Sequence, residues 1–276
     1  MNNALPPQLG RRPTGLPARL KSPAAVLGCL LAGAIGAGSP LAVRSLGESD
    51  AATNPPTPVL VELFTSEGCS SCPPADRFLE RLDKEQPLPG IEVVVMSEHV
   101  DYWNHDGWVD PFSSADLTQR QQAYGRRFDL SDVYTPQMVV DGVRQCVGNR
   151  ESEAEELIRK AAEQPKLAVR FSDSGRAGSV DLDVEGGALP GRRGDVYAAF
   201  AENEGQSDVL AGENRGLKLH YVAIIRKLRR LGRLNKNASF RGEVSVASFA
   251  GGRVIGFVQE QDTGAILGAA MYRIPR

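Results

Sequence analysis

Phe64-Thr65-Ser66-Glu67-Gly68-Cys69-Ser70-Ser71-Cys72-Pro73-Pro74-Ala75-Asp76 joins two runs of different periodicity, and the fold follows from that junction. Before it, Pro58-Val59-Leu60-Val61-Glu62-Leu63-Phe64 is a short apolar run typical of a buried strand. After it, Arg77-Phe78-Leu79-Glu80-Arg81-Leu82 puts Phe78, Leu79 and Leu82 on one helix face able to cover a sheet. Pro73 suits the first turn of that helix, where its missing N–H costs nothing. A second buried strand reads from Ile91-Glu92-Val93-Val94-Val95-Met96, and 113–128 reads as a helix with Leu117, Gln121, Tyr124 and Phe128 along one side. Thr135-Pro136-Gln137-Met138-Val139-Val140 runs into Asp141-Gly142 and Val143-Arg144-Gln145-Cys146-Val147, a hairpin signal. A two-residue Asp-Gly turn sets Val140 opposite Val143 and Gln137 opposite Cys146. Asn149 is placed to cap a last helix over 150–163 that buries Leu157, Ile158 and Ala161. The order strand, helix, strand, helix, strand, strand, helix predicts one compact α/β domain over 57–163.

Beyond Gln164-Pro165 the texture changes. Leu167–Phe171, Ser179–Val184 and Asp195–Phe200 read as strands between Gly-rich turns, and Arg253–Gln259 with Ala265–Ala270 straddle Asp262-Thr263-Gly264 as a hairpin. Residues 217–226 fit either period and are taken as a strand. Short strands at this spacing predict a second, β-rich domain over 165–276, built as an antiparallel β-sandwich.

The 276 residues are 41% hydrophobic and 24% charged, the balance of a globular protein, and a net charge of −2 leaves no footprint for nucleic acid. The first 50 residues hold five Lys/Arg against two acids, ahead of the apolar run Ala24–Ala37. That pattern predicts an export signal over 1–44 followed by a polar, Pro-rich linker over 45–56. Cleavage among the small residues 37–42, retention as an inner-membrane anchor, and lipid modification of Cys29 are all open. Each places the folded part in the periplasm or outside the cell. Discounting Cys29, three cysteines remain, too few for a disulfide-stapled scaffold.

Thiol–disulfide exchange needs a thiolate, and a free cysteine at neutral pH is mostly protonated. Cys69 lies just before a helix start, where unpaired backbone N–H groups favour negative charge. Two intervening residues let Cys72 close a small disulfide ring, so Cys69 attacks and Cys72 resolves. A structural disulfide and a metal site are the other meanings of the same spacing. His99 and His105 with both cysteines have zinc-ligand chemistry, although the gap between the pairs is far longer than a finger's. Alternatively, His99, Asp101 and His105 lie on a loop flanking the thiols, with Trp103 as a binding surface, or serve packing alone. Cys146 reads first as a buried inert thiol; its register near Pro136 also allows a relay with the Cys69–Cys72 pair.

The block Phe64–Asp76 resembles a bacterial family of unknown function, DUF1223, described as secreted and thioredoxin-like. His99-Val100-Asp101-Tyr102-Trp103, Gly107-Trp108-Val109-Asp110-Pro111-Phe112, Tyr134-Thr135-Pro136-Gln137, Gly212-Glu213-Asn214-Arg215-Gly216 and Phe257-Val258-Gln259 extend the resemblance over about 57–276. It implies a thioredoxin-like first domain in which Pro136 follows a cis bond and lies against Cys69 and Cys72, with Thr135, Trp103 and Asp101 beside the substrate. It also implies a role for Glu62, near where thioredoxin-like proteins carry a buried acid beneath the second cysteine, although the register is one residue off. The leading expectation is an exported thiol–disulfide oxidoreductase acting on protein or small-molecule thiols without a bound cofactor. A non-catalytic envelope binding module and a thiol-based metal-handling protein are the alternatives.

Overall fold

The computed structural model describes residues 55–187, 189 and 192–276. The export signal over 1–44, Cys29 and linker residues 45–54 lie outside the described residues. Among the described residues, eleven strands and three α-helices follow in the order β1 (Thr57–Thr65), α1 (Pro73–Glu85), β2 (Ile91–His99), α2 (Ala115–Arg127), β3 (Gln137–Val140), β4 (Arg144–Val147), α3 (Glu151–Ala162), β5 (Ala168–Asp173), β6 (Ser179–Glu185), β7 (Gly194–Asp208), β8 (Lys218–Arg233), β9 (Phe240–Ser245), β10 (Arg253–Glu260) and β11 (Ile266–Arg273).

The result is a mixed α/β architecture dominated by one eight-stranded sheet, ordered β11-β10-β7-β8-β2-β1-β3-β4. β1 and β2 run parallel from Thr57↔Ile91 to Thr65↔His99, whereas β3 adds antiparallel to the far side of β1 and β4 antiparallel to β3. Strand parity then divides the side chains between two faces. Val59, Val61, Leu63, Val93 and Val95 pack under α1 and α3 against Phe78, Leu79, Leu82 and Ile158. Leu60, Val94 and Met96 face the opposite way, onto Leu117 of α2 and onto Ile255 and Phe257 of β10.

That second packing carries a correction. The strands of the C-terminal half do not form a free-standing sandwich, because β7, β8, β10 and β11 extend the same sheet that begins with β1. β8 lies parallel to β2, meeting it at Ser97↔Ile224, and the sheet curls until Ile266 of β11 donates its N–H to the carbonyl of Asp141, beyond β3. Only β5, β6 and β9 form a separate antiparallel sheet. Its Val169, Val180, Leu182 and Val244 pack onto Val196, Ala198, Val254 and Val258 of the large one.

Two local expectations shift by one residue. The β3–β4 register pairs Val140 with Arg144 and Met138 with Cys146, so Gln137 faces Val147 and the turn spans three residues. The Asp141-Gly142 turn itself closes, with the Val143 N–H on the Val140 carbonyl at 3.3 Å, and Asp141 is held inward by tertiary contacts: its side chain accepts the Leu60 N–H at 2.9 Å and binds Lys166. The N-cap of α3 is Arg150 rather than Asn149, with no side-chain cap.

Candidate redox site

Cys69 and Cys72 are joined by a disulfide, with Cα atoms 5.4 Å apart. Strand β1 ends at Thr65, a short turn follows, and Cys72 is the N-cap of α1 with Pro73 behind it. The Cys69 carbonyl accepts the Cys72 N–H at 3.1 Å, and the Ser71 hydroxyl donates to Cys69 Sγ at 3.4 Å. Both cysteines are nearly inaccessible, at 1% and 0% exposure, whereas Ser70 and Ser71 are exposed.

The cover comes from two loops. Residues 100–114 pass close to Gly68, where a Cβ would lie 2.7 Å from the Trp103 carbonyl oxygen, so only glycine fits there. Trp103 then donates its Nε1–H to Thr135 Oγ1 at 2.7 Å, tying this loop to the residue before Pro136. The Thr135–Pro136 bond is cis. Pro136 and Ala75 of α1 both border Gly148, where a Cβ would stand 3.2 and 3.1 Å from their Cβ atoms. Pro136 therefore lies beside the first turn of the cysteine-bearing helix. Asp101 points elsewhere: it accepts from the Thr118 hydroxyl at 2.6 Å and pins its loop to α2.

The second cover is the strap 209–217 between β7 and β8, which no reading of the cysteine motif anticipated. Buried Asn214 donates from Nδ2 to the carbonyls of Glu67 (2.8 Å) and Cys69 (2.9 Å). Its neighbour Glu213 accepts the Ser70 N–H at 3.1 Å. The strap closes on itself through Val209 N–H to Leu217 O and Gly216 N–H to Val209 O.

Glu62 is displaced from the role expected of it. Parity turns it away from α1, onto the face where it accepts from Tyr124 OH and Arg120 Nε, both at 2.6 Å, beside buried Glu98. Burial, then the charge of Glu62, raise the Glu98 carboxyl well above its ordinary value. The buried acid that follows Cys72 in α1 is Asp76, one helical turn on, whose N–H donates to the Cys72 carbonyl at 3.1 Å. Asp76 is buried, neither carboxyl oxygen has a hydrogen-bond partner, and burial pushes its pKa up to about 7.

Around Asp76 the structure gathers a polar cluster. His99 Nδ1 donates to Asp110 Oδ2 at 2.7 Å, the same oxygen that accepts the Glu67 N–H at 3.0 Å. Burial opposes charge on His99, but Asp110, Asp76 and Glu67 outweigh it and raise the imidazole above its usual value. His99 Nε2, Thr65 Oγ1, Ser97 Oγ and Tyr221 OH are buried without partners, like both Asp76 oxygens. Buried polar groups are normally paired, so this many without a protein partner in one neighbourhood is unusual. The two histidines do not meet: His105 is exposed beside Asp106. Among the described residues, no group of three or more His, Cys, Asp or Glu is arranged to hold a metal ion. Cys146 is buried beneath α3, and burial pushes its thiol up to about 12.

The family model for DUF1223, a protein of unknown function, matches residues 60–259. A crystal structure of a protein from Agrobacterium tumefaciens superposes with a TM-score of 0.67 at 26% identity, covering 81% of this chain and 96% of that one. HBP35 of Porphyromonas gingivalis superposes with a TM-score of 0.56 at 15% identity, over 80% of this chain and 76% of that one, a likeness of fold alone. No curated protein matches this sequence.

Proposed function

This chain belongs to the DUF1223 family, whose description assigns no function, and from its own residues we propose that it is an exported, thioredoxin-like thiol–disulfide oxidoreductase. The observation that carries this reading is the Cys69–Cys72 disulfide at the start of α1 with unpaired, buried Asp76 one turn behind it. In the reduced protein, Cys69 thiolate attacks one sulfur of a substrate disulfide, forming a mixed disulfide and expelling the other sulfur as a thiolate. Cys72 gives its proton to Asp76 and attacks Cys69 Sγ, which restores the Cys69–Cys72 bond and releases the second substrate thiolate. Two electrons pass from protein to substrate, and the reverse sequence oxidises a dithiol. Asp76 is suited to that exchange because an acid titrating near neutrality takes and returns a proton at little cost. In this reading the substrate chain lies along Trp103, which abuts Gly68, and along Thr135 and Pro136 beyond it, in the periplasm or outside the cell.

Equilibration in glutathione buffers tests the reading. The expected result is a reversible dithiol–disulfide transition and insulin reduction, both abolished in Cys69→Ser. The burial of both cysteines supports a second reading, a binding module with a permanent disulfide. A Cys69–Cys72 bond that no glutathione ratio opens, with Cys69→Ser altering stability alone, favours that module and overturns the enzyme.

A further inference from the structure

The C-terminal half supplies residues to the cysteine turn, and their chemistry is directional. Asn214, 3% exposed, holds the carbonyls of Glu67 and Cys69 at 2.8 and 2.9 Å, so the turn and the strap are locked together. That lock fixes the adjacent Glu213, whose carboxylate oxygen lies 3.1 Å from the Ser70 nitrogen. The Ser70 N–H is a few covalent bonds from Cys69 Sγ, in the region where free amides ahead of a helix stabilise a thiolate. Glu213 occupies that donor and brings a negative charge of its own to the same place. Its carboxyl is held below the usual range chiefly by Ser70, so the charge is present at neutral pH.

We propose that Glu213, held by Asn214, is a positioning residue that disfavours the Cys69 thiolate and thereby keeps the Cys69–Cys72 couple on the reducing side. A thiolate that is harder to form makes the dithiol less stable relative to the disulfide, so the disulfide is harder to reduce. The strap thus gives the C-terminal half a function in the reaction: it sets the poise of a couple carried by the N-terminal half. This deepens the oxidoreductase reading and rests on it for its biological meaning, although the effect on the thiol is measurable without it.

The test uses the whole described protein with Glu213→Ala and Glu213→Gln, each checked for an unchanged thermal unfolding curve. After chemical reduction, thiolate absorbance against pH gives the acid dissociation constant of Cys69. Glutathione equilibrium gives the couple: reduction takes two electrons from two glutathione molecules, which leave as glutathione disulfide. Glu213→Ala is expected to raise the Cys69 dissociation constant by about threefold to tenfold, a range set by a charge that solvent partly screens. The equilibrium moves toward the dithiol in step. Glu213→Gln keeps an acceptor for the Ser70 N–H without the charge and falls between wild type and alanine. The differences narrow in high salt. A Cys69 dissociation constant that is unchanged or lowered in Glu213→Ala, or a shift undiminished by salt, overturns the proposal. If wild type shows no reversible glutathione equilibrium, the oxidoreductase reading fails on its own, and the titration of the reduced protein still decides the role of Glu213.

Discussion

Asp76 bears a buried carboxyl group, and its titration leaves a signature in stability. Burial raises its pKa from 3.8 to about 7. Between those values the folded protein keeps a proton that the unfolded chain has released. Its contribution to stability is therefore complete below about pH 4 and is lost as pH rises through about 7. Urea unfolding should show wild type losing on the order of 4 kcal/mol relative to Asp76→Asn between pH 4 and pH 8, as an upper limit. Parallel pH profiles for the two proteins would show that the carboxyl is not in fact enclosed. The position of Asp76 was legible in the motif, since i and i+4 share a helix face and its neighbours Ala75, Phe78 and Leu79 are apolar. So was the failure of Glu62: Val61 and Leu63 point to α1, and alternation sends the residue between them to the other side. What the sequence hid was the company of Asp76, because His99, Asp110 and Tyr221 come from three separate segments.

Among elements, the attachment of α1 to the C-terminal strands is decisive. Arg253 of β10 forks onto Asp83 of α1, Nη1 to Oδ1 at 2.7 Å and Nη2 to Oδ2 at 3.1 Å, while its Nε donates to Asn203 Oδ1 at 2.7 Å. The two charged side chains are 2% and 7% exposed. Removing one member leaves the other buried without its counter-charge, so Asp83→Ala should cost up to about 3–5 kcal/mol in urea unfolding. Replacing both, as Asp83→Leu with Arg253→Met, should recover most of that loss. A cost near zero for the single variant would mean that α1 is not anchored through this pair. Periodicity located the helices and most strands; 217–226, whose residues fit either period, proves to be part of β8, and β9, with few apolar residues, left no pattern to read. Register was less accessible. The Asp141-Gly142 pair signals a two-residue turn, but the Lys166 and Leu60 contacts that hold Asp141 inward are not local.

At the scale of the whole molecule, one sheet replaces the expected pair of domains at 57–163 and 165–276. The change of texture after Pro165 is real, yet β7, β8, β10 and β11 continue the sheet that begins with β1, and β5, β6 and β9 pack on it as a second layer. Strand composition carries no record of which edges meet, so the β2–β8 junction was invisible in the sequence. A fragment ending at Gln164 would expose the β2 edge and the face of Leu60 and Met96 that Ile255 and Phe257 cover. Calorimetry of the full chain should give a single cooperative transition, and the fragment should show none. Two resolved transitions in the full chain would restore the two-domain organisation.

The strap has a consequence for how the protein is made. Asn214 is encoded 145 residues after Cys69, its hydrogen-bond partner. A ribosome or export channel delivering the chain from its N-terminus releases the thiols long before it releases their lid. Throughout that interval Cys69, Cys72 and Cys146 belong to an open polypeptide that lacks the Asn214 contact to Cys69. The contacts of the strap to the cysteine turn therefore form last.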